Sequence, residues 1–176
     1  MKNILLTILV SFVMASAPAQ QRPVYANDYY VRVGDNAPDF TIKEAGGKTY
    51  KLSDLKGKVV MLQFTASWCS VCRTEMPFIE KDIWLAKKNS GLAVLGIDRD
   101  EAEATVLKFK KDMAITYPLV LDPGAEIFGM YAKKEAGVTR NVIIDRTGKI
   151  IFLTRLFEKE EFEKMKEVIF AELSKK

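Results

Sequence analysis

The chain has no histidine and only two cysteines in 176 residues. Those shortages exclude several site chemistries. A zinc site needs about four nitrogen or sulfur ligands, and one cysteine pair without histidine cannot supply them. Haem attachment through C-x-x-C-H fails because Arg73 follows Cys72. No histidine is available as a general acid or base. Charge of one sign is also scarce: 27 basic residues face 23 acidic ones, a net +4, interspersed rather than blocked. Such a balance argues for neither nucleic acid nor a membrane surface as partner. No repeat or low-complexity tract is present, and the longest apolar run, Ile4 to Val13, is interrupted by Thr7 and Ser11. It falls short of the roughly 18–20 residues a spanning helix needs.

That run follows a short polar start, Lys2-Asn3, and precedes Ala17-Pro18-Ala19, a small-x-small cleavage pattern. Residues 1–19 therefore read as a secretory signal peptide, with Gln20 opening the mature chain. No cysteine near the cleavage point offers a lipid anchor. Residues 20–30 read as a linker-like mature N-terminal extension and 31–176 as one domain, long enough for a sizeable core. Export places the cysteines where disulfides persist, and where an external electron donor is needed to keep a dithiol reduced.

The cysteines stand in Trp68-Cys69-Ser70-Val71-Cys72. A redox dithiol is the favoured reading, and two buried structural thiols are the alternative. The surrounding pattern is βαβ. Val59–Phe64 is an almost unbroken apolar run, as for a strand buried on both faces. Ala93–Ile97 is a second such run, and Ser70–Asn89 between them has helical spacing through Met76, Ile79, Ile83 and Ala86. Further on, Glu101–Asp112 reads as a helix capped by Asp98 or Asp100, Tyr117–Leu121 as a strand and Ala125–Lys134 as a short helix. Val142–Ile144 and Ile150–Leu153 flank the turn Asp145–Lys149 as a hairpin, and Glu158–Leu173 is a final amphipathic helix. Phe40–Ile42 and Thr49–Leu52 form another hairpin around Gly46-Gly47. The expected architecture is α/β: a mixed central sheet, helices on both faces and an N-terminal β-hairpin extension. The cysteines fall at the carboxyl end of a parallel strand, where such sheets place their sites.

Four segments carry a resemblance over about Val33 to Leu173: Gly34–Phe40, Leu52–Val60, Trp68–Pro77, and Tyr117-Pro118 with Asp122. The sequence resembles extracytoplasmic thioredoxin-like proteins of the TlpA/ResA type, within the group shared with peroxiredoxins. The resemblance implies a thioredoxin-like fold and thiol–disulfide exchange with protein clients, without a cofactor or metal; a monomer is expected. Relatives of this type carry a glutamate at the place of Glu75 that tunes the cysteines or handles protons. They also carry a cis-proline facing the disulfide, but here that place falls at Thr139, beside Arg140. A non-proline cis bond costs about 2.5–4 kcal/mol, so Val138–Thr139 is expected trans.

Helix geometry adds roles. Cys69 at a helix start gains thiolate character from free N–H groups and the helix dipole, and Cys72 one turn on can close the disulfide. Lowering a thiol pKa from about 8.5 to about 7 raises the thiolate fraction at pH 7 roughly fifteen-fold, while nucleophilicity falls about five-fold. Cys69 is thus the candidate nucleophile and leaving group, and Cys72 the resolving thiol. Trp68 either shields the sulfurs or packs in the core. Pro77 should kink its helix. Glu75 is either the acid–base group or a surface residue paired with Arg73 or Lys81. Arg140 either lies near the sulfurs or points to solvent. A thiol peroxidase and a redox-inert binding module with a static disulfide are the alternative functions.

Overall fold

In the computed structural model residues 22–175 are described; the expected signal peptide lies outside them. A five-stranded sheet has the order β5-β4-β3-β6-β7, with β3 (Val59–Thr65), β4 (Leu92–Arg99), β5 (Leu119–Asp122), β6 (Arg140–Ile144) and β7 (Ile150–Arg155). The first three are parallel to one another, while β6 is antiparallel to β3 and β7 to β6. The expected mixed sheet is therefore present. The hairpin β1 (Thr41–Lys43) and β2 (Thr49–Lys51) stands apart, touching the main sheet through a Glu44–Val120 bridge.

Every residue of β3 is buried, which is why its sequence, Gln63 and Thr65 apart, is apolar without alternation. Its two faces feed separate cores. Val60, Leu62 and Phe64 pack with Leu95, Ile97, Phe128 and Tyr131 of α4 (Glu126–Tyr131) and with Ile42 of the hairpin. Val59 and Met61 pack with Met76 of α1 (Ser70–Phe78), Val106 and Phe109 of α3 (Glu103–Asp112), and Phe162, Met165 and Ile169 of α5 (Lys159–Ser174). Helices thus cover both faces. Among the described residues, none of the helices is long and apolar enough to cross a membrane.

Three local expectations change. The helix after the cysteines is not regular: α1 gives way to π-helical turns over Ile79–Trp84 and then to α2 (Leu85–Lys87). Pro77 has no N–H to donate back along α1, and the loosening follows it directly. A wider turn shifts the apolar stripe, so Ile79 and Ile83 are buried while Ala86 is exposed. Secondly, α3 starts from Ala102 with no side-chain cap. Asp98 is still in β4, and the Asp100 carboxylate instead accepts from Gly124 N at 2.7 Å. Thirdly, residues 22–30 are docked rather than free. Tyr29 is buried, its hydroxyl donates to Thr154 O at 2.7 Å, and its backbone bridges to Ala132.

Candidate active site

Cys69 is the N-cap of α1, and Cys72 lies within the first turn. The two are joined as a disulfide, with Cα atoms 5.3 Å apart. Cys72 N donates to Cys69 Sγ at 3.2 Å, so a backbone N–H aims at the sulfur that would carry charge on reduction. Burial separates the partners: Cys69 is 8% exposed and Cys72 not at all.

Thr139 occupies the loop opposite, immediately before β6, and no described peptide bond is cis. Its Oγ1 is 3.2 Å from Cys69 Sγ and 3.3 Å from Cys72 Sγ. Disulfide sulfurs carry no proton, so the hydroxyl donates. Thr139 O is taken by Leu156 N at 3.2 Å and Arg155 Nη1 at 3.3 Å, which fixes the loop.

Glu75 is not a surface residue. It is 1% exposed and accepts from Asn141 Nδ2 at 2.6 Å and Gln63 Nε2 at 3.3 Å. Gln63 and Asn141 face each other in the β3–β6 register, which places both amides under α1. Tyr117 Oη donates to Gln63 Oε1 at 2.7 Å, and Asn141 Nδ2 also reaches Thr154 Oγ1 at 2.9 Å. Gly96, beside Gln63 in β4, leaves the room: an added Cβ would press on the Leu119 and Tyr117 side chains. Burial pushes the Glu75 carboxyl up from 4.5 to about 7; the two amide hydrogen bonds oppose the shift without cancelling it. Gln63, Asn141 and Tyr117 were not anticipated from sequence. The available signal was a lone glutamine inside Val59–Phe64, a polar break in an otherwise apolar strand.

The remaining residues divide. Trp68 is 65% exposed, so core packing does not explain it. Arg140 is neither at the sulfurs nor in solvent. It is fully buried, donates to Asn27 O at 2.6 Å and Gly137 O at 3.1 Å, and lies over the Tyr29 and Phe128 rings. The docked N-terminal segment captures it. A depression of about 360 Å³ bounded by Leu52, Lys58, Ile144 and Asp145 opens at the other end of β3, away from the cysteines.

A helix-capping C-x-x-C opposite a loop hydroxyl, on a β3–α1–β4 unit, agrees with the family comparison: the redoxin model matches residues 32–169. The chain belongs to the redoxin family. Among curated relatives, it is 32% identical to the thiol-disulfide oxidoreductase ResA of Bacillus cereus over 127 residues, covering 72% of each. Among solved structures, it superposes on a candidate protein disulfide isomerase from Bacteroides thetaiotaomicron with TM-score 0.82 and 59% identity, covering 84% of this chain and 94% of that one. A candidate thiol:disulfide interchange protein DsbE from Chlorobium tepidum gives TM-score 0.73 and 29% identity, covering 82% and 99%. The fold is thioredoxin-like, and this redoxin is a thiol–disulfide oxidoreductase built on the Cys69–Cys72 disulfide.

Proposed function

We propose that this redoxin works outside the cytoplasm, passing electrons from an external donor to disulfides of particular protein clients. The observation that carries the residue roles is the unequal burial of the two sulfurs beneath one hydroxyl. Reduced Cys69, at the helix N-cap and the less buried of the two sulfurs, attacks a client disulfide. The client S–S bond breaks, one client sulfur leaves as a thiolate, and a mixed disulfide forms on Cys69. Cys72 then loses its proton and attacks Cys69 Sγ. The second client thiolate leaves, the Cys69–Cys72 disulfide forms, and two electrons have passed to the client. Glu75, one turn past Cys72 and poised near neutrality, is the acceptor for the Cys72 proton. Thr139 donates to whichever sulfur holds negative charge. The reading of residues 1–19 as a signal peptide supports export.

The test is a pair of variants. Cys72→Ser should accumulate mixed disulfides with clients in the exporting cell, and Cys69→Ser should lose insulin-disulfide reduction altogether. Full activity in Cys69→Ser would end the assignment of the nucleophile. Hydrogen peroxide turnover faster than insulin reduction would favour the peroxidase alternative; of the two traits behind it, a loop without cis-proline and an arginine beside it, the second is weakened by the capture of Arg140 elsewhere.

A further inference from the structure

A second group of acids lies beside the cysteine loop. Asp98 is the penultimate residue of β4, paired with Thr65 on β3 and Leu121 on β5. It is fully buried, and no N–H and no Ser, Thr or Tyr hydroxyl donates to either carboxyl oxygen; the neighbouring side chain that can share its proton is the Glu101 carboxyl. Two other carboxyls face it. Asp122 accepts from Ile127 N at 2.7 Å and Phe128 N at 2.9 Å, so its charge is satisfied by the start of α4. Glu101 accepts from Ser67 N at 2.5 Å and Ser67 Oγ at 2.6 Å. Asp98 alone of the three has no N–H or O–H to stabilise an anion. An isolated buried carboxylate costs far more than a neutral acid, so Asp98 holds a proton. Glu101, adjacent, is its acceptor.

We propose that Asp98 and Glu101 share one proton and together position Cys69, by holding Ser67 two residues before it. Asp98 donates to Glu101, and Glu101 accepts both Ser67 donors, which pins the turn in which Cys69 N bonds to Ala66 O at 3.1 Å. Asp98 and Glu101 are positioning residues; neither reaches a sulfur by hydrogen bond. The acids have a route to solvent. Glu101 and Asp122 line a depression of about 480 Å³ shared with Lys43, Glu103, Pro123 and Glu126. From α1 comes Arg73, which donates to Ser67 O at 3.4 Å. Burial, then the charges of Glu101 and Asp122, push Asp98 up from 3.8 to about 8. When the proton leaves, Asp98 and Glu101 repel, and the hold on Ser67 weakens.

The inference rests on Cys69 being the reactive sulfur, so its test uses no client. The reduced protein is alkylated with iodoacetamide across pH 6–10, and the modified peptide is identified by mass. Wild type should show an inflection near pH 8, above which the Cys69 rate falls about five-fold below a simple thiol curve, the effect of one lost hydrogen bond. Asp98→Asn keeps a donor but cannot ionise, and should abolish that inflection. Glu101→Gln removes the like charge and should move it to lower pH; Ser67→Ala should shrink it. An alkaline inflection that survives unchanged in Asp98→Asn overturns the proposal. Where Asp98→Asn does not fold, an unmoved inflection in Glu101→Gln does so. Modification of Cys72 in place of Cys69 would instead overturn the nucleophile assignment.

Discussion

The Thr139 hydroxyl bridges both sulfurs of the active disulfide, 3.2 Å from Cys69 Sγ and 3.3 Å from Cys72 Sγ. A polar donor therefore stands where proline is usual in similar proteins. Proline has no hydroxyl to offer, so the loop contributes electrostatics as well as shape. After reduction the same hydroxyl faces a thiolate, and a hydrogen bond to a charged group is worth about 1.5–3 kcal/mol.

Thr139→Val keeps the volume and removes the donor. The Cys69 thiol pKa should rise by about one unit, read from thiolate absorbance at ~240 nm. Because the hydroxyl favours the reduced form, the reduction potential should also fall, by about 30–60 mV. An unchanged potential in glutathione titrations would show that the hydroxyl does not serve the thiolate.

Glu75 makes stability depend on pH. Its folded-state value of about 7 lies above the ordinary 4.5, so the folded protein holds this proton more tightly than the unfolded chain. The resulting stability is present in full below about pH 4.5 and is lost as pH rises through about 7. The shift corresponds to about 3 kcal/mol. Urea denaturation of the oxidised protein at pH 5 and pH 8 should show a loss to which buried Asp98 also contributes, and Glu75→Gln should remove only the Glu75 share, about 2–3 kcal/mol. An equal pH dependence in the variant would mean that other groups carry it.

The same substitution tests chemistry. With no carboxylate to take the Cys72 proton, Glu75→Gln should slow resolution of the mixed disulfide and leave the first attack by Cys69 less affected. Stopped-flow reduction of a fluorescent disulfide peptide separates the two phases. Slowing confined to the first phase would reassign Glu75 to Cys69.

The sheet was legible because β3 and β4 are buried almost throughout and their sequences are apolar but for Gln63 and Thr65 in β3 and the Asp98-Arg99 end of β4. The cysteine pair was legible because its spacing matches one helical turn. What sequence could not supply was direction across the sheet. Gln63 and Asn141 are far apart in the chain and meet only through the β3–β6 register, so the cradle of Glu75 was hidden. Arg140 was hidden for a related reason: its acceptor, Asn27 O, belongs to a segment that reads as a linker until Tyr29 is seen docked beneath β7. Helix phase failed at Ala86 because a π-helical stretch after Pro77 adds residues to the turn.

Trp68 is the remaining residue of the motif, and its exposure decides its use. An indole that is 65% exposed contributes little to the fold, so Trp68→Ala should change the urea midpoint by less than about 0.5 kcal/mol in stability. Beside Cys69 it offers a large apolar contact for a client chain approaching the sulfur, and truncating such an anchor typically costs more than about 1 kcal/mol of binding. The variant should therefore raise KM for a protein client about five-fold or more, with kcat nearly unchanged. Reduction of a small disulfide such as oxidised glutathione, too short to reach the indole, should be unaffected. A loss of equal size on both substrates would mean that Trp68 acts on the sulfurs themselves, as a shield, rather than on the client.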